Sequence, residues 1–351
     1  MSAKRTSGTT LDPALRFVAE APPDADSPAA KPAGRRWELG SRQWRGFLFA
    51  IAALAFLVRL IPVLRGGGLT FYGRYDDGVY YAAADALTFG RVPYRDFVLL
   101  HPPVIMLAVA PFAALGRITS DQVGMATARV AFMAIGALNA TLVARLARRW
   151  GLVAAVVAGI IYVGWLPAVF AEQTVLMEPI GGAAILVALL LLVKRPTLVT
   201  ARAEWLAGGA LGFAAVTKIW YLAPWALLVL WPLLQRRLGS ALRILGGGVI
   251  VAAIIVAPFA VLARGRMWDM VIRDQLLRPA GTVPRLGRLA DVAGASLIHH
   301  SPARWVLAIV VLVLIAACAT LSAKDRSARL ITALFVVDLL VLLASPSYFL
   351  H

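Results

Sequence analysis

The chain is poor in charged residues, in acids and in cysteine. Of its 351 residues 15% are charged, and Asp plus Glu number 18 against 35 Lys plus Arg. Soluble domains average about 25% charged residues. The single cysteine, Cys318, lies in an apolar run, which excludes a disulfide framework and a thiolate metal site. With 60% hydrophobic residues in repeated long runs, the composition excludes a soluble domain and predicts an all-α polytopic membrane protein.

The excess of positive charge does not indicate a nucleic-acid-binding protein. The net charge is +17, but the basic residues separate the apolar runs, as orienting charges do in membrane proteins. The glycine runs at 66–68 and 246–248 lack the Lys and Ser/Thr of a phosphate-binding loop. We therefore expect membrane lipids as partners and no nucleic acid.

The chain divides into a polar tail and a membrane domain. Residues 1–45 are rich in Pro and Ala and contain too little apolar surface to fold alone, which predicts a disordered cytoplasmic tail. Residues 46–351 form the predicted transmembrane domain. The final letters, "SPSYFLH", resemble a segment that continues into further spans in similar proteins, which indicates a shortened chain or a fragment.

The apolar runs and the basic clusters between them predict about nine transmembrane helices. The predicted spans are residues 47–64, 126–146, 151–170, 179–193, 204–217, 220–234, 242–263, 304–321 and 328–345. The segment 102–115 is apolar but too short to cross, since a crossing needs roughly 17–25 residues. We expect it to be an interfacial or re-entrant helix within the first outer loop.

This topology places three loops outside the cell membrane, at about 65–125, 171–178 and 265–303. Most of the polar residues that could do chemistry lie there. The acids and their neighbours are Asp76, Asp77, His101, Glu172, Glu178 and Lys218. The last loop carries Arg273, Arg278, Arg285 and Arg288, which predicts that it binds an anionic ligand. We therefore predict a multi-pass protein of the cell membrane whose site faces the extracytoplasmic side.

The adjacent acids Asp76 and Asp77 have two compatible interpretations. Asp76 precedes the alanine-rich stretch "GVYYAAADAL", so it can cap a helix. A carboxylate at a membrane surface can also act as a general base toward a hydroxyl group. Because adjacent carboxylates repel each other, one of them can require a cation nearby.

Glu178 and Lys218 leave structural and functional alternatives open. Glu178 precedes Pro179 and can simply complement a helix dipole. It can also face Asp76 and share a divalent cation, Mg or Mn, through oxygen ligands. Lys218 can extend its ammonium group from the outer end of a span to the membrane surface, or it can contact a phosphate.

Asp338 lies near the middle of the last predicted span, where an ionised acid is costly and usually functional or paired. A hydrogen bond to a polar neighbour such as Asn139 would satisfy it. The sequence assigns no role to this residue.

Three motifs resemble one family of membrane enzymes. They are "YDDGVYYAAADALTFGRVPYRDFVLLHPPVIMLAVAPFAAL", "VLMEP" and "GGALGFAAVTKIW", which occur in this order within residues 47–234. They are similar to the outer-loop and Thr-Lys signatures of the GT-C glycosyltransferases. The likeness is greatest to the group of protein O-mannosyltransferases and aminoarabinose–lipid A transferases.

The resemblance implies a GT-C-like fold and an inverting glycosyltransferase. Such an enzyme moves a sugar, here mannose or a related one, from a polyprenyl-phosphate carrier to an extracytoplasmic glycan, lipid or protein. In the resemblance Asp76 is the catalytic carboxylate and Asp77 its neighbouring acid. The donor phosphate would be held by the following residues: Tyr80, His101, Lys218, Arg273, Arg278, Arg285 and Arg288.

Two other classes fit parts of the sequence. A secondary transporter would explain Asp338 and the Gly-interrupted span 242–263, although the acids in outer loops and the lack of a visible repeat count against it. A non-catalytic membrane subunit that binds lipid-linked sugars would show the same motifs without activity.

Overall fold

The structure, a computed structural model, describes residues 39–71, 75–193, 199–279, 285–293, 302–321 and 323–345. Within these ranges the protein is helical, and the only β pairing is an isolated bridge between Pro93 and Phe97. The predicted all-α class is therefore confirmed. His299, His300 and most of the predicted tail lie outside the described residues.

The first half of the described chain contains seven α-helices. They are α1 Ser41–Arg65, α2 Tyr75–Thr88, α3 Val104–Ile118, α4 Asp121–Ala147, α5 Leu152–Gly164, α6 Leu166–Glu172 and α7 Met177–Leu192. Helix α1 begins at Ser41, so the last five residues of the expected tail, 41–45, are helical. Helix α2 begins at Tyr75, so both acids of the pair lie in its first turn, where negative charge complements the helix dipole.

The second half contains eight α-helices, of which α11 and α12 have three residues each. They are α8 Ala201–Ala215, α9 Leu222–Leu233, α10 Leu238–Ala263, α11 Arg266–Trp268, α12 Asp274–Leu276, α13 Arg285–Val292, α14 Ala303–Leu321 and α15 Arg326–Ala344. The π-helical turn Asp269–Arg273 joins α11 to α12.

A helix lies at each of the nine predicted spans. Four of them (α1, α4, α10 and α15) are long and apolar enough to cross a membrane, and α5 with α6 forms a fifth candidate that bends by 60°. The other predicted spans are shorter helices. A polytopic membrane architecture follows, while the number of nine crossings stays a prediction.

Glycines allow α8 and α10 to pack with their backbones in direct contact. A Cβ atom added to Gly212 would lie 2.1 Å from the carbonyl oxygen of Gly248, and one at Gly208 would lie 2.2 Å from that of Ile244. Any larger residue would push the helices apart. Such close approach through small residues is typical of helix pairs in membranes, where packing rather than water exclusion drives association.

The segment predicted to be the first outer loop folds into an ordered cap. Helices α2 and α3 bury Tyr80, Tyr94, Ile105 and Met106 in one core with Phe132 of α4. Tyr94 has a φ of 66°, a left-handed conformation uncommon for a bulky residue. Its hydroxyl donates to the carbonyl oxygen of His101 at 2.7 Å. The expected helix in the 102–115 segment is thus α3, packed against α2 and α4.

The segment from α11 to α12 packs on this cap. Met267 and Val271 join the core that contains Tyr80 and Tyr94. The buried Gln275 donates to the carbonyl oxygen of Leu100 at 2.8 Å. The chain after α10 therefore closes over the first outer loop, although almost 200 residues separate the two in sequence.

Candidate functional site

Asp77, the second acid of the pair, is buried and held in an ion pair. It is 1% exposed, and its Oδ2 accepts a hydrogen bond at 3.0 Å from Nη2 of Arg129. The hydroxyl of Thr174, in the second outer loop, donates to the same oxygen. Burying a carboxylate is costly unless such partners compensate for lost water. Asp77 is therefore fixed in place and shielded from a large acceptor.

Arg129 connects three segments at this point. Its Nη1 donates to the carbonyl oxygens of Leu69 and Phe71, at 2.6 and 2.7 Å, and its Nε lies 3.4 Å from the hydroxyl of Thr174. The planar guanidinium can serve several acceptors at once because its donors point in fixed directions. It ties the end of the first span, α2 and the second outer loop together beneath the acidic pair.

Asp76 is half-buried beside a group of charged and aromatic residues. Burial raises the pKa of the Tyr80 hydroxyl above its usual range, and the negative charges of Asp76 and Glu178 raise it further. The positive charge of Arg278 opposes this shift in the Tyr80 pKa. Three segments far apart in sequence thus bring their charges close to one phenol.

Glu178 and Lys218 form a direct ion pair between the start of α7 and the residue before the turn Ile219–Tyr221. Both side chains are partly accessible, with 22% and 24% of their surface exposed. Glu178 lies in the first turn of α7, as the helix-dipole interpretation predicts. The ammonium group of Lys218 is therefore partly exposed and lies beside the same glutamate whose charge raises the pKa of Tyr80.

His101 lies next to the same phenol. Its ring meets the Tyr80 ring edge-on, with centroids 5.7 Å apart. The Tyr94 hydroxyl holds the backbone of His101, so a buried tyrosine in a left-handed turn sets the position of this imidazole. The structure therefore brings together Asp76, Tyr80, His101, Glu178, Lys218 and Arg278 of the predicted site residues.

The other predicted arginines lie elsewhere or serve the fold. Arg273 is largely exposed and lies 3.8 Å from Asp269 on its own helical turn. Arg288 is buried and donates to the carbonyl oxygens of Leu342 and Ser345 at the end of α15. Arg285 begins α13, but its side chain lies outside the described residues.

Among the described residues no group of three or more His, Cys, Asp or Glu side chains is arranged to hold a metal ion. Asp76 and Glu178, the two predicted ligands, both act on Tyr80. Lys218 already supplies a positive charge to Glu178, as a divalent cation would. The residues present therefore do not form a complete metal site by themselves, and a Mg or Mn requirement stays a prediction.

A family model matches most of the helical bundle, including the site residues His101, Glu178, Lys218 and Arg278. Residues 99–346 match the model of glycosyltransferase family 87. This is more than half of the 351-residue chain. The chain belongs to glycosyltransferase family 87. The predicted resemblance to glycosyltransferases is thereby confirmed.

Two solved structures are similar to this family 87 chain. ArnT from Cupriavidus metallidurans, solved bound to undecaprenyl phosphate, aligns with a TM-score of 0.55 at 19% identity over 87% of this chain and 60% of its own. The S. cerevisiae protein O-mannosyltransferase Pmt1-Pmt2 complex, bound to the sugar donor, aligns with a TM-score of 0.49 at 16% identity over 66% of this chain and 34% of its own. No curated protein matches.

The likeness to ArnT confirms the predicted GT-C-like fold. The chain spans about 60% of the length of the ArnT chain. The identity is too low to transfer individual residue roles, so the roles of the site residues of this family 87 protein follow from its own geometry.

Sequence reasoning missed three residues of this family 87 chain. Arg129 and Thr174 hold Asp77, and Arg59 forms a second buried ion pair with Glu172. Both arginines interrupt apolar stretches, and an ionisable residue inside a span is usually paired or functional. That signal was present in the sequence, but it does not identify the partner.

The suggested hydrogen bond between Asp338 and Asn139 is wrong. The Asn139 amide donates to Oε1 of Glu172 at 2.8 Å and to the carbonyl oxygen of Pro179 at 2.9 Å. Both donors of that amide are thus used by α6 and α7. Asp338 lies exposed on α15.

Proposed function

We propose that this protein is an inverting glycosyltransferase that uses a polyprenyl-phosphate-linked sugar and acts at the extracytoplasmic face of the cell membrane. The observation that carries the proposal is that the charges of Asp76, Glu178 and Arg278 act on Tyr80, while Lys218 forms an ion pair with Glu178. Membership of glycosyltransferase family 87 supports the reaction class. Mannose or a related sugar is our proposed cargo, and a glycan, lipid or protein our proposed acceptor.

The two adjacent acids would have different tasks. Asp77 is buried and ion-paired, so it would hold α2 in position. Asp76 is half-buried and would accept the proton of the acceptor hydroxyl as general base. As that proton leaves, the acceptor oxygen would form a bond to the anomeric carbon from the face opposite the phosphate. The bond from that carbon to the phosphate oxygen would break, and the sugar configuration would invert.

The leaving group needs charge stabilisation rather than a proton. A polyprenyl phosphate is a weak base, so cations that gather around its oxygens suffice to stabilise its departure. Lys218 and Arg278 lie within the charged group and would supply them, together with Arg273 and Arg285 if the donor reaches that loop. Tyr80 stays protonated because its pKa is raised, so its hydroxyl can donate a hydrogen bond.

The decisive experiment is sugar transfer from a radiolabelled polyprenyl-phosphate sugar in membranes that contain equal amounts of the wild type or of Asp76→Asn. We expect transfer by the wild type and a loss of about a hundredfold or more in Asp76→Asn, the effect of removing a general base. Asp85→Asn is the matched control, because Asp85 lies on the same helix, about 13 Å further along. Equal transfer by the wild type and Asp76→Asn would contradict the assigned base.

A non-catalytic subunit would bind the lipid-linked sugar without transferring it. The same membranes distinguish this alternative, since retention of the donor with no transfer by the wild type would favour it. A secondary transporter would instead move its substrate across sealed vesicles in response to an ion gradient.

A further inference from the structure

A cavity of about 210 Å³ lies at the end of the bundle remote from the candidate site. It is lined by residues at the end of α7 and the start of α8, whereas Glu178 and Lys218 lie at the other ends of these two helices. Leu192 in the cavity wall lies 14 positions after Glu178 along α7, or about 21 Å of helix. The cavity is therefore separate from the proposed transferase site.

The wall of the cavity combines an apolar part with a charged rim. Leu228, Trp231 and Leu330 contribute apolar surface, and Arg237 and Arg326 contribute charge. Such a combination fits an amphipathic ligand whose polar head lies at the membrane surface. The volume corresponds to about seven water molecules at roughly 30 Å³ each, which suits a head group and not a whole lipid.

The charges at this rim are predominantly positive. The buried carboxylate of Glu204 accepts from Nε of Arg243 at 2.6 Å, and Nη2 of Arg237 lies 3.7 Å away. One carboxylate therefore serves two arginines. Arg326 forms no ion pair with any residue in the described ranges and lines the same cavity. The rim keeps an excess of positive charge, which an anion would neutralise.

Arg326 lies at the end of α15 where a bound anion would be favourable. It is the first residue of α15, and positive charge is disfavoured at the positive end of a helix dipole. Asp325 offsets part of this charge as the N-cap, since its Oδ1 accepts from the backbone N–H of Ser327 at 2.8 Å. A phosphate in the cavity would interact favourably with both Arg326 and the helix end.

The end of α9 contributes Gln235 and a left-handed turn to the cavity. Gln235 lines the cavity, and its buried Oε1 accepts no hydrogen bond from any residue that the structure describes. Buried polar atoms normally have partners. Arg236 has a φ of 58° at the position after a helix where glycine is usual. This strained turn places Arg237 beside Glu204 at the cavity rim.

We propose that this cavity binds the head group of an anionic phospholipid, with the phosphate at Arg237 and Arg326 and a head-group hydroxyl donating to Gln235. Basic pockets between membrane helices are known to bind phospholipid head groups. A phospholipid is favoured over a soluble phosphate because the apolar wall of Leu228, Trp231 and Leu330 adjoins the charged rim. The inference is independent of the proposed transferase reaction.

The test uses the full chain in nanodiscs of phosphatidylcholine with a minor fraction of phosphatidylglycerol. After extraction and purification, the phosphatidylglycerol that stays bound is measured by mass spectrometry. We expect the wild type to enrich it over phosphatidylcholine, and Arg326→Gln to lower the enrichment about fivefold, the effect of one arginine on an anionic head group. Arg329→Gln is the matched control, because Arg329 is exposed one turn further along α15 and does not line the cavity.

Equal enrichment in the wild type and Arg326→Gln would overturn the proposal. A second arm adds inorganic phosphate or glycerol phosphate to protein in pure phosphatidylcholine and records the melting temperature. If these soluble anions stabilise the wild type as much as phosphatidylglycerol does, and Arg326→Gln abolishes the effect, the ligand is a soluble phosphate and the lipid assignment is wrong. Sugar transfer, measured in parallel, separates this result from failure of the proposed reaction.

Discussion

Two buried carboxylates, Glu172 and Asp77, are stabilised in different ways within the same bundle. Oε1 of Glu172 accepts from Asn139 and from Tyr162, at 2.8 and 2.7 Å, and Oε2 accepts from Nε of Arg59 at 2.8 Å. Asp77 uses only Oδ2, while its buried Oδ1 accepts no hydrogen bond from the described residues.

This difference distinguishes the structural ion pair Arg59–Glu172 from the ion pair Arg129–Asp77, which lies beside the proposed general base Asp76. Every oxygen of Glu172 is satisfied, so the Arg59–Glu172 pair fixes α1 against α4 and α6 and has no capacity left for a ligand. Asp77 has one oxygen, Oδ1, that accepts no hydrogen bond from the described residues, and it lies beside Asp76 in the first turn of α2. A buried oxygen with so few partners is unusual, and under the proposed function Asp77 would hold α2 so that Asp76 is in position.

A large effect on stability is expected at Glu172. Glu172→Gln leaves the guanidinium of Arg59 buried without a counter-charge, which typically costs about 3–5 kcal/mol. The free energy of unfolding, measured in detergent micelles, should fall by about this amount. Glu178→Gln is the control at a partly exposed acid. A loss of stability at Glu172 no larger than at Glu178 would contradict the role of the buried Arg59–Glu172 pair in holding the bundle together.

A smaller effect, on activity, is expected at Lys218. If its ammonium group contacts the donor phosphate, Lys218→Gln removes a charged hydrogen bond of about 1.5–3 kcal/mol. The KM for the lipid-linked donor should rise roughly 10- to 150-fold. Lys218→Arg should recover most of the affinity, because it preserves the charge at Glu178 and toward phosphate. An unchanged donor KM in Lys218→Gln would leave the residue as a partner of Glu178 alone.

The smallest effect is expected at Tyr80. Burial and the neighbouring acids raise its pKa, so the phenol stays neutral at neutral and moderately alkaline pH and cannot act as a base there. Tyr80→Phe should therefore lower transfer by less than about tenfold, the effect of one neutral hydrogen bond. It should also leave the shape of the pH–rate profile unchanged. A shift of the alkaline limb in Tyr80→Phe would show that this tyrosine ionises during the reaction.

Local features of the fold could be predicted from the sequence because hydrophobic runs and basic clusters determine where helices lie in a membrane. The nine expected spans all correspond to helices, and the short apolar segment before α4 is the helix α3. The acids of the first outer loop were also recognised, since "YDDG" follows an apolar span and begins a helix.

Long-range pairing could not be predicted. Arg129 lies 52 residues from Asp77, and Arg59 lies 113 residues from Glu172, so no local pattern links either pair. Arg288 illustrates the same limit. Its charge and its place in a predicted loop suggested a phosphate ligand. In the folded chain it is buried and donates to the carbonyl oxygens of Leu342 and Ser345, which are more than 50 residues away in sequence.

The most direct test of the account is a paired measurement of stability and transfer in Asp76→Asn and Asp77→Asn. We predict that Asp76→Asn lowers sugar transfer by about a hundredfold or more, while the free energy of unfolding changes by less than about 1 kcal/mol. Asp77→Asn should instead destabilise the protein by about 3–5 kcal/mol, because Arg129 loses its counter-charge. Full transfer activity in Asp76→Asn, with or without a loss of stability, would contradict the assignment of Asp76 as the general base.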